Sequence, residues 1–233
     1  MGKTGPNAGM MGIYDDAFIP QYQELTRRVH AYGSKIMMQI AYGGTKTTFE
    51  REGRTIFSPS AVPERKTGTV GVAMSPDDIR HLIDEYAQAA KRVRDSGFDA
   101  VEIHGGHSYL LNQFLSPYYN RRSDAYGGSP ANRYRIVGDI IAAIRKAVGM
   151  HFPIWIKITC SDFFEGGLTF AESLDICRRL QQSGIDAIEV SGNIHGKAQQ
   201  EIGLEWDGHV VRDGGYFLDY AKDIADAVSV PVY

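Results

Sequence analysis

Apolar runs and amphipathic stretches alternate along the chain. "KIMMQI" (35–40) follows a helical pattern near 16–32, and "AVEIH" (100–104) follows one near 76–96. "IWIKIT" (154–159) follows a pattern near 131–148, "AIEVSG" (187–192) one near 170–183, and "VPVY" (230–233) one near 218–228. Short apolar runs alternating with helices predict βαβ units and a parallel sheet. Helix starts are marked by Ser75-Pro76-Asp77-Asp78 and by Thr169 followed by Glu172, both capping-box patterns. Gly33, Gly97, Gly149 and Gly184 stand just past helix ends, where a left-handed residue is needed. A doubly wound open sheet uses the same units. No G-x-G-x-x-G follows the first strand and no P-loop is present, so the pattern favours a (β/α)8 barrel.

Alternation within the strands separates two faces. Ile154, Ile156 and Ile158 share one face, leaving Trp155, Lys157 and Thr159 on the other. Val101 and Ile103 oppose Glu102 and His104, Ile36, Met38 and Ile40 oppose Met37 and Gln39, and Ile188 and Val190 oppose Glu189 and Ser191. In a barrel the apolar face meets the helices and the mixed face points inward. Gln39, His104, Lys157 and Ser191 then lie toward the C-terminal strand ends, where barrel active sites sit. Buried polar groups need partners, and a ligand with donors and acceptors would supply them.

Composition limits the function classes. The 233 residues suffice for one sizeable core, and 23% charged residues is ordinary for a globular protein. A net charge of −3 gives no electrostatic case for nucleic acid or an anionic membrane as partner. Cys160 and Cys177 make neither a disulfide framework nor a zinc spacing, which fits a reducing compartment, the cytoplasm. No apolar run is long enough to span a bilayer, and the N-terminus lacks the apolar core of a signal peptide.

Several chemistries remain open from the residues alone. Gln39 offers both a carbonyl and an NH₂, matching the edge of a heterocycle such as a flavin. Lys157 suits a flavin's N1/C2=O edge, a Schiff base, or an ion pair with Glu102 or Glu189. His104 and His107 could bind a metal, although no Cys is near and Glu102 lies deeper on the strand. Two neutral imidazoles could instead donate to one carbonyl oxygen and stabilise an enolate. Tyr109, a phenol with an ordinary pKa of ~10, could protonate the enolate carbon.

"EIHGGHSYLLNQFLSPYYNRRSDAYGGSPANRYRI" closely resembles the signature of the old yellow enzyme family, the NADH:flavin oxidoreductases. "GMMGIYDDAFIPQYQELTRRVHAYGSKIMMQIAYGG" is similar to the family's third-strand region and "FPIWIKITCSDFFEGGLT" to its fifth. The resemblance implies an FMN-binding (β/α)8 TIM barrel, present here as an incomplete piece of about strands 3 to 7 spanning residues 1–233. It implies that His104 and His107 bind the substrate's activating oxygen, that Tyr109 donates the proton, and that Gln39 and Lys157 contact FMN. NADH or NADPH would be the reductant and an α,β-unsaturated carbonyl compound the substrate. Asn120, Arg121, Asp124, Tyr126, Gly127, Gly128, Asn132 and Arg133 belong to the same signature and are expected to brace loops.

Three departures stand out. Ser108 takes a position usually held by Gly, and Lys157 one commonly held by Arg. The chain also lacks the family's first strands and the last strand loops that form the phosphate site. An iron–sulfur cluster, found in one branch, would belong to the missing C-terminal region. An unclosed barrel exposes strand edges, so weak FMN retention, a non-catalytic fragment and a homo-oligomer are all expectations for this chain. The segment 41–75 reads as a long loop with a small hairpin over the active-site mouth. His195 and Trp206 lie in another long loop that could line the pocket, and His30 reads as packing.

Overall fold

The computed structural model describes residues 10–47, 53–192, 215 and 217–233. His195 and Trp206 lie outside them. Four strands form one parallel sheet: β1 (Met37–Ile40), β4 (Ala100–Gly105), β5 (Ile154–Thr159) and β6 (Ala187–Ser191), in the order β1-β4-β5-β6. Helices return the chain between strands, as parallel pairing demands. These are α1 (Ile19–His30), α2 (Pro76–Asp95), α3 (Leu110–Leu115), α4 (Pro130–Val148), α5 (Phe170–Gln182) and α6 (Leu218–Ala227). The result is a partial, unclosed parallel sheet flanked by helices, consistent with an incomplete TIM barrel.

The apolar face behaves as the alternation predicts. Val101, Ile103, Ile154, Ile156 and Ile188 are fully buried, packed with Ile79, Leu82, Ile136 and Ile140 of α2 and α4. Both capping boxes form: Ser75 Oγ accepts from Asp78 N, and Thr169 Oγ1 from Glu172 N, with each acid reaching back to its cap. The four glycines past helix ends all take positive φ.

Three expectations need correction, and one helix went unseen. The segment 41–75 holds no hairpin among its described residues. β2 (Phe57–Ser58) and β3 (Val72–Ala73) pair in parallel, and β2 packs beside α3. The apolar run 230–233 contributes a single parallel bridge, Ile188 to Val232, rather than a strand. α3 lay hidden in the sequence because all six of its residues are buried, so it has no amphipathic period. His30, read as packing, pairs with Asp99 at 2.7 Å.

The family-signature residues brace the loops between α3 and α4. Asn120 Nδ2 donates to the carbonyls of Phe114 and Tyr126. Tyr126 Oη donates to Asp139. Buried Arg133 donates to Leu115 O at 2.8 Å and Gly128 O at 2.7 Å, and pairs with Glu172.

Candidate active site

Strand register places the inward side chains. Gln39 lies level with Glu102, His104 with Lys157, Lys157 with Glu189, and Thr159 with Ser191. The four polar strand-end residues therefore occupy three levels, not one. Parallel strands tilted as in a barrel are staggered, and sequence alternation cannot see that stagger.

His104 is the fifth residue of β4, and the chain turns sharply after Gly105. His107 and Ser108 both take φ of 58°, a conformation L side chains seldom adopt. Backbone contacts hold this turn. His107 N donates to Thr159 Oγ1 at 3.0 Å, Ser108 N to Asn112 Oδ1 at 2.7 Å, and Lys46 Nζ to His107 O at 2.7 Å. Gln113 Nε2 donates to Ser108 O at 2.6 Å. The turn folds Tyr109, the N-cap residue of α3, back over the strand end. The His104 ring centroid lies 5.0 Å from that of His107 and 4.5 Å from that of Tyr109, both edge-on. Three side chains spread over six positions thus share one cluster.

Both imidazoles are neutral at neutral pH. Burial, then His107, Lys157 and Lys46, push His104 down to about 2. Burial, then the same two lysines, push His107 down to about 4. Neutral imidazole donates from one nitrogen only. His107 Nε2 pairs with Ser191 Oγ at 2.6 Å. His104 Nδ1 is buried with no partner among the described residues. A buried nitrogen left without a partner is what a ligand-binding site leaves open. Burial also raises the Tyr109 phenol, keeping it protonated.

Lys157 and Gln39 are placed differently. Lys157 Nζ lies 3.0 Å from Glu189 Oε1, so the ion-pair alternative for this lysine is realised, with Glu189 rather than Glu102. Gln39 stands one level below the histidines, and its Nε2 donates to Glu102 Oε2. Both still face the open side of the sheet, where Gln39 is exposed and Lys157 half-buried. An amide and a cation on that face fit the polar edge of a flavin ring.

Lys46, Thr159 and the Glu102–Glu189 pair escaped the sequence reading as functional candidates. Burial pushes Lys46 down to about 8, against the raising effect of Glu64. It lies in a short 3-10 turn, Gly44–Lys46, and no periodic signal marks it. Among the described residues, no group of three or more His, Cys, Asp or Glu could hold a metal ion, and no helix is long and apolar enough to cross a membrane.

Residues 2–210 match the sequence profile of the NADH:flavin oxidoreductase / NADH oxidase family. The chain belongs to that family. Within this flavin oxidoreductase family, an NADPH dehydrogenase of Bacillus licheniformis is 39% identical over 181 residues, 78% of this chain and 52% of that protein. A metal reductase of Desulforamulus reducens is 36% identical over 231 residues, 99% of this chain and 34% of its own length. A solved 2-naphthoyl-CoA reductase in complex with 2-naphthoyl-CoA superposes with a TM-score of 0.87 at 25% identity, covering 98% of this chain and 36% of that one. Histamine dehydrogenase from Rhizobium sp. 4-9 gives 0.80 at 25% identity, covering 94% of this chain and 31% of that one. This chain spans about half the length of the NADPH dehydrogenase and a third of the metal reductase.

Proposed function

We propose that residues 1–233 form part of an FMN-binding barrel domain whose protein reduces the activated C=C of an α,β-unsaturated carbonyl compound with NADH or NADPH. The cluster of His104, His107 and Tyr109 at one strand end carries this reading. Gln39 and Lys157 would hold FMN, which would supply hydride-transfer chemistry between the nicotinamide and the substrate's β-carbon. The rest of the chemistry falls to side chains of this chain.

His104 and His107 donate N–H bonds to the carbonyl oxygen. Because both rings are held neutral, they remain selective hydrogen-bond donors and strengthen their hold as negative charge gathers on that oxygen. Tyr109, edge-on to His104, gives its phenolic proton to the α-carbon. Gln39 would hold the heterocycle's polar edge. Lys157 would stabilise negative charge at the N1/C2=O side, with Glu189 fixing its ammonium. The strained His107–Ser108 turn sets the distance between the oxygen-binding donors and the acid.

The relatives' names support the substrate class. The 2-naphthoyl-CoA of one relative carries a thioester carbonyl conjugated with an unsaturated ring, and the NADPH dehydrogenases support a nicotinamide reductant. The test is anaerobic stopped-flow of FMN-loaded protein, with cofactor reduction by NADPH and reoxidation by a cyclic enone followed separately. Tyr109→Phe should slow the enone half by about 10²- to 10⁴-fold and leave the NADPH half unchanged. Equal rates in both halves would remove Tyr109 from the reaction.

A further inference from the structure

Beneath the histidine cluster runs a second polar chain, and one of its members, Glu102, has no part in the reaction above. Gln39 on β1 donates from Nε2 to Glu102 Oε2 on β4. The Glu102 carboxyl also faces the Glu189 carboxyl of β6, near enough for each to shift the other's titration. Glu189 in turn pairs with Lys157 of β5 at 3.0 Å. The chain of contacts therefore joins the two residues assigned to the flavin ring, Gln39 and Lys157, through two carboxyl groups.

Two ionised carboxylates cannot bond each other, because both only accept. Glu102 is 2% exposed, and among the described residues no N–H or O–H is directed at its buried Oε1. A buried charge with one oxygen unsatisfied and a second carboxylate beside it is costly. One proton on Oε1 removes both defects: Glu102 becomes neutral, and Oε1 donates to Glu189. Oε2 keeps accepting from Gln39, since a carboxylic acid retains that capacity. Glu189 then keeps its charge for Lys157.

We propose that Glu102 is a positioning residue that works as a neutral acid, donating to Glu189 and holding the Gln39 amide with its carbonyl turned away from Glu102 toward the ring-binding face. The role assigned to that carbonyl rests on the flavin reading, whereas the proton on Glu102 does not. Burial and the Glu189 neighbour push the Glu102 carboxyl up to about 7, with Gln39 and Lys157 opposing. Burial acts to raise Glu189 as well, but hydrogen bonds from Glu102 and Lys157 outweigh it and hold Glu189 below its usual value. The groups facing the pair are Gln39 from β1, His104 and the His107 turn from β4, and Lys157 and Trp155 from β5. Among these, Lys157 is the one lysine or arginine, and it already pairs with Glu189. Loss of the proton near neutral pH would place two carboxylates side by side and release Gln39 from its fixed orientation.

The experiment is a pH titration of the full chain with ¹³C-carboxyl-labelled Glu and ¹⁵N-labelled Gln, read by NMR in wild type, Glu102→Gln, Glu102→Leu and Glu189→Gln. One carboxyl should titrate near neutrality in wild type, vanish in Glu102→Gln, and move toward the ordinary glutamate range in Glu189→Gln. The Gln39 side-chain NH₂ signals should shift with that titration. They should stay fixed across pH in Glu102→Gln, which imitates the neutral acid, and collapse to a solvent-like position in Glu102→Leu. Ordinary titration of every carboxyl would overturn the neutral acid. Gln39 signals indifferent to Glu102→Leu would overturn the positioning role. FMN titrations of the same variants separate this from the flavin reading: failure of every variant, wild type included, to bind FMN counts against the flavin reading, while the NMR result still decides the Glu102 proton.

Discussion

His107 Nε2 lies 2.6 Å from Ser191 Oγ, tying the turn after β4 to the end of β6 across the width of β5. The bond uses one ring nitrogen and so decides which one remains for a substrate. Ser191→Ala removes the tie without adding bulk. One such hydrogen bond is worth about 1 kcal/mol, so KM for the unsaturated carbonyl should rise about 3- to 10-fold. The rate of cofactor reduction should not change. An unaltered KM would mean that Ser191 has no part in orienting the imidazole.

Lys46 supports the same turn from the other side, donating to His107 O at 2.7 Å from a largely buried position. Lys46→Met keeps the aliphatic stem but loses the charge-assisted bond. It should cost about 2 kcal/mol in denaturant unfolding. Because the turn is strained at two successive residues, the loss should also loosen it locally, seen as faster amide exchange at His107, Ser108 and Tyr109. Unchanged exchange there would assign Lys46 to the outer loops instead.

Arg133 links α3, the loop before α4, and the cap of α5 with three separate nitrogens. Arg133→Met keeps much of the volume but abandons two carbonyls and Glu172. The expected cost is about 3–5 kcal/mol by equilibrium unfolding. A cost below about 1 kcal/mol would show that water replaces these bonds.

The acid side of the stability profile follows from the shifted groups. His104 and His107 have folded pKa values depressed below the ordinary histidine value, so the unfolded chain takes up their protons first. Their contribution is complete above about pH 6.5 and is lost as pH falls through that value toward the folded values. Glu102 runs the other way. Its folded pKa is raised to about 7, so its contribution is present at low pH and lost as pH climbs from the ordinary glutamate value to 7. Between about pH 4.5 and 6.5 these opposing effects leave a net loss on acidification. Glu102→Gln should steepen that loss by about one proton, and His107→Gln should flatten it by up to about one. Denaturant melts at half-unit pH intervals would measure both slopes. Reversed signs would contradict the protonation states assigned to the cluster.

Much of this fold is visible in local pattern because its causes are local. Ser75 and Thr169 announce their helices by chemistry confined to four residues. Ile154, Ile156 and Ile158 announce their face because strand alternation is strict. The His104–His107–Tyr109 cluster was legible from spacing and resemblance together. What escaped depends on geometry between distant segments. The parallel pairing of Phe57–Ser58 with Val72–Ala73 leaves no alternation over two residues. The Glu102–Glu189 contact crosses an intervening strand on a diagonal set by sheet stagger. Lys46 is a single cation in a loop, and only burial sets it apart.

The central claim is that the open face carrying Gln39 and Lys157 receives FMN. Equilibrium titration of FMN with the chain, followed by quenching of flavin fluorescence, tests it most directly. The account predicts saturable quenching in wild type, with affinity at least about 10-fold weaker in both Gln39→Leu and Lys157→Met, a loss of about 1.4 kcal/mol or more. Quenching that never saturates in wild type, or identical curves for all three proteins, would contradict it.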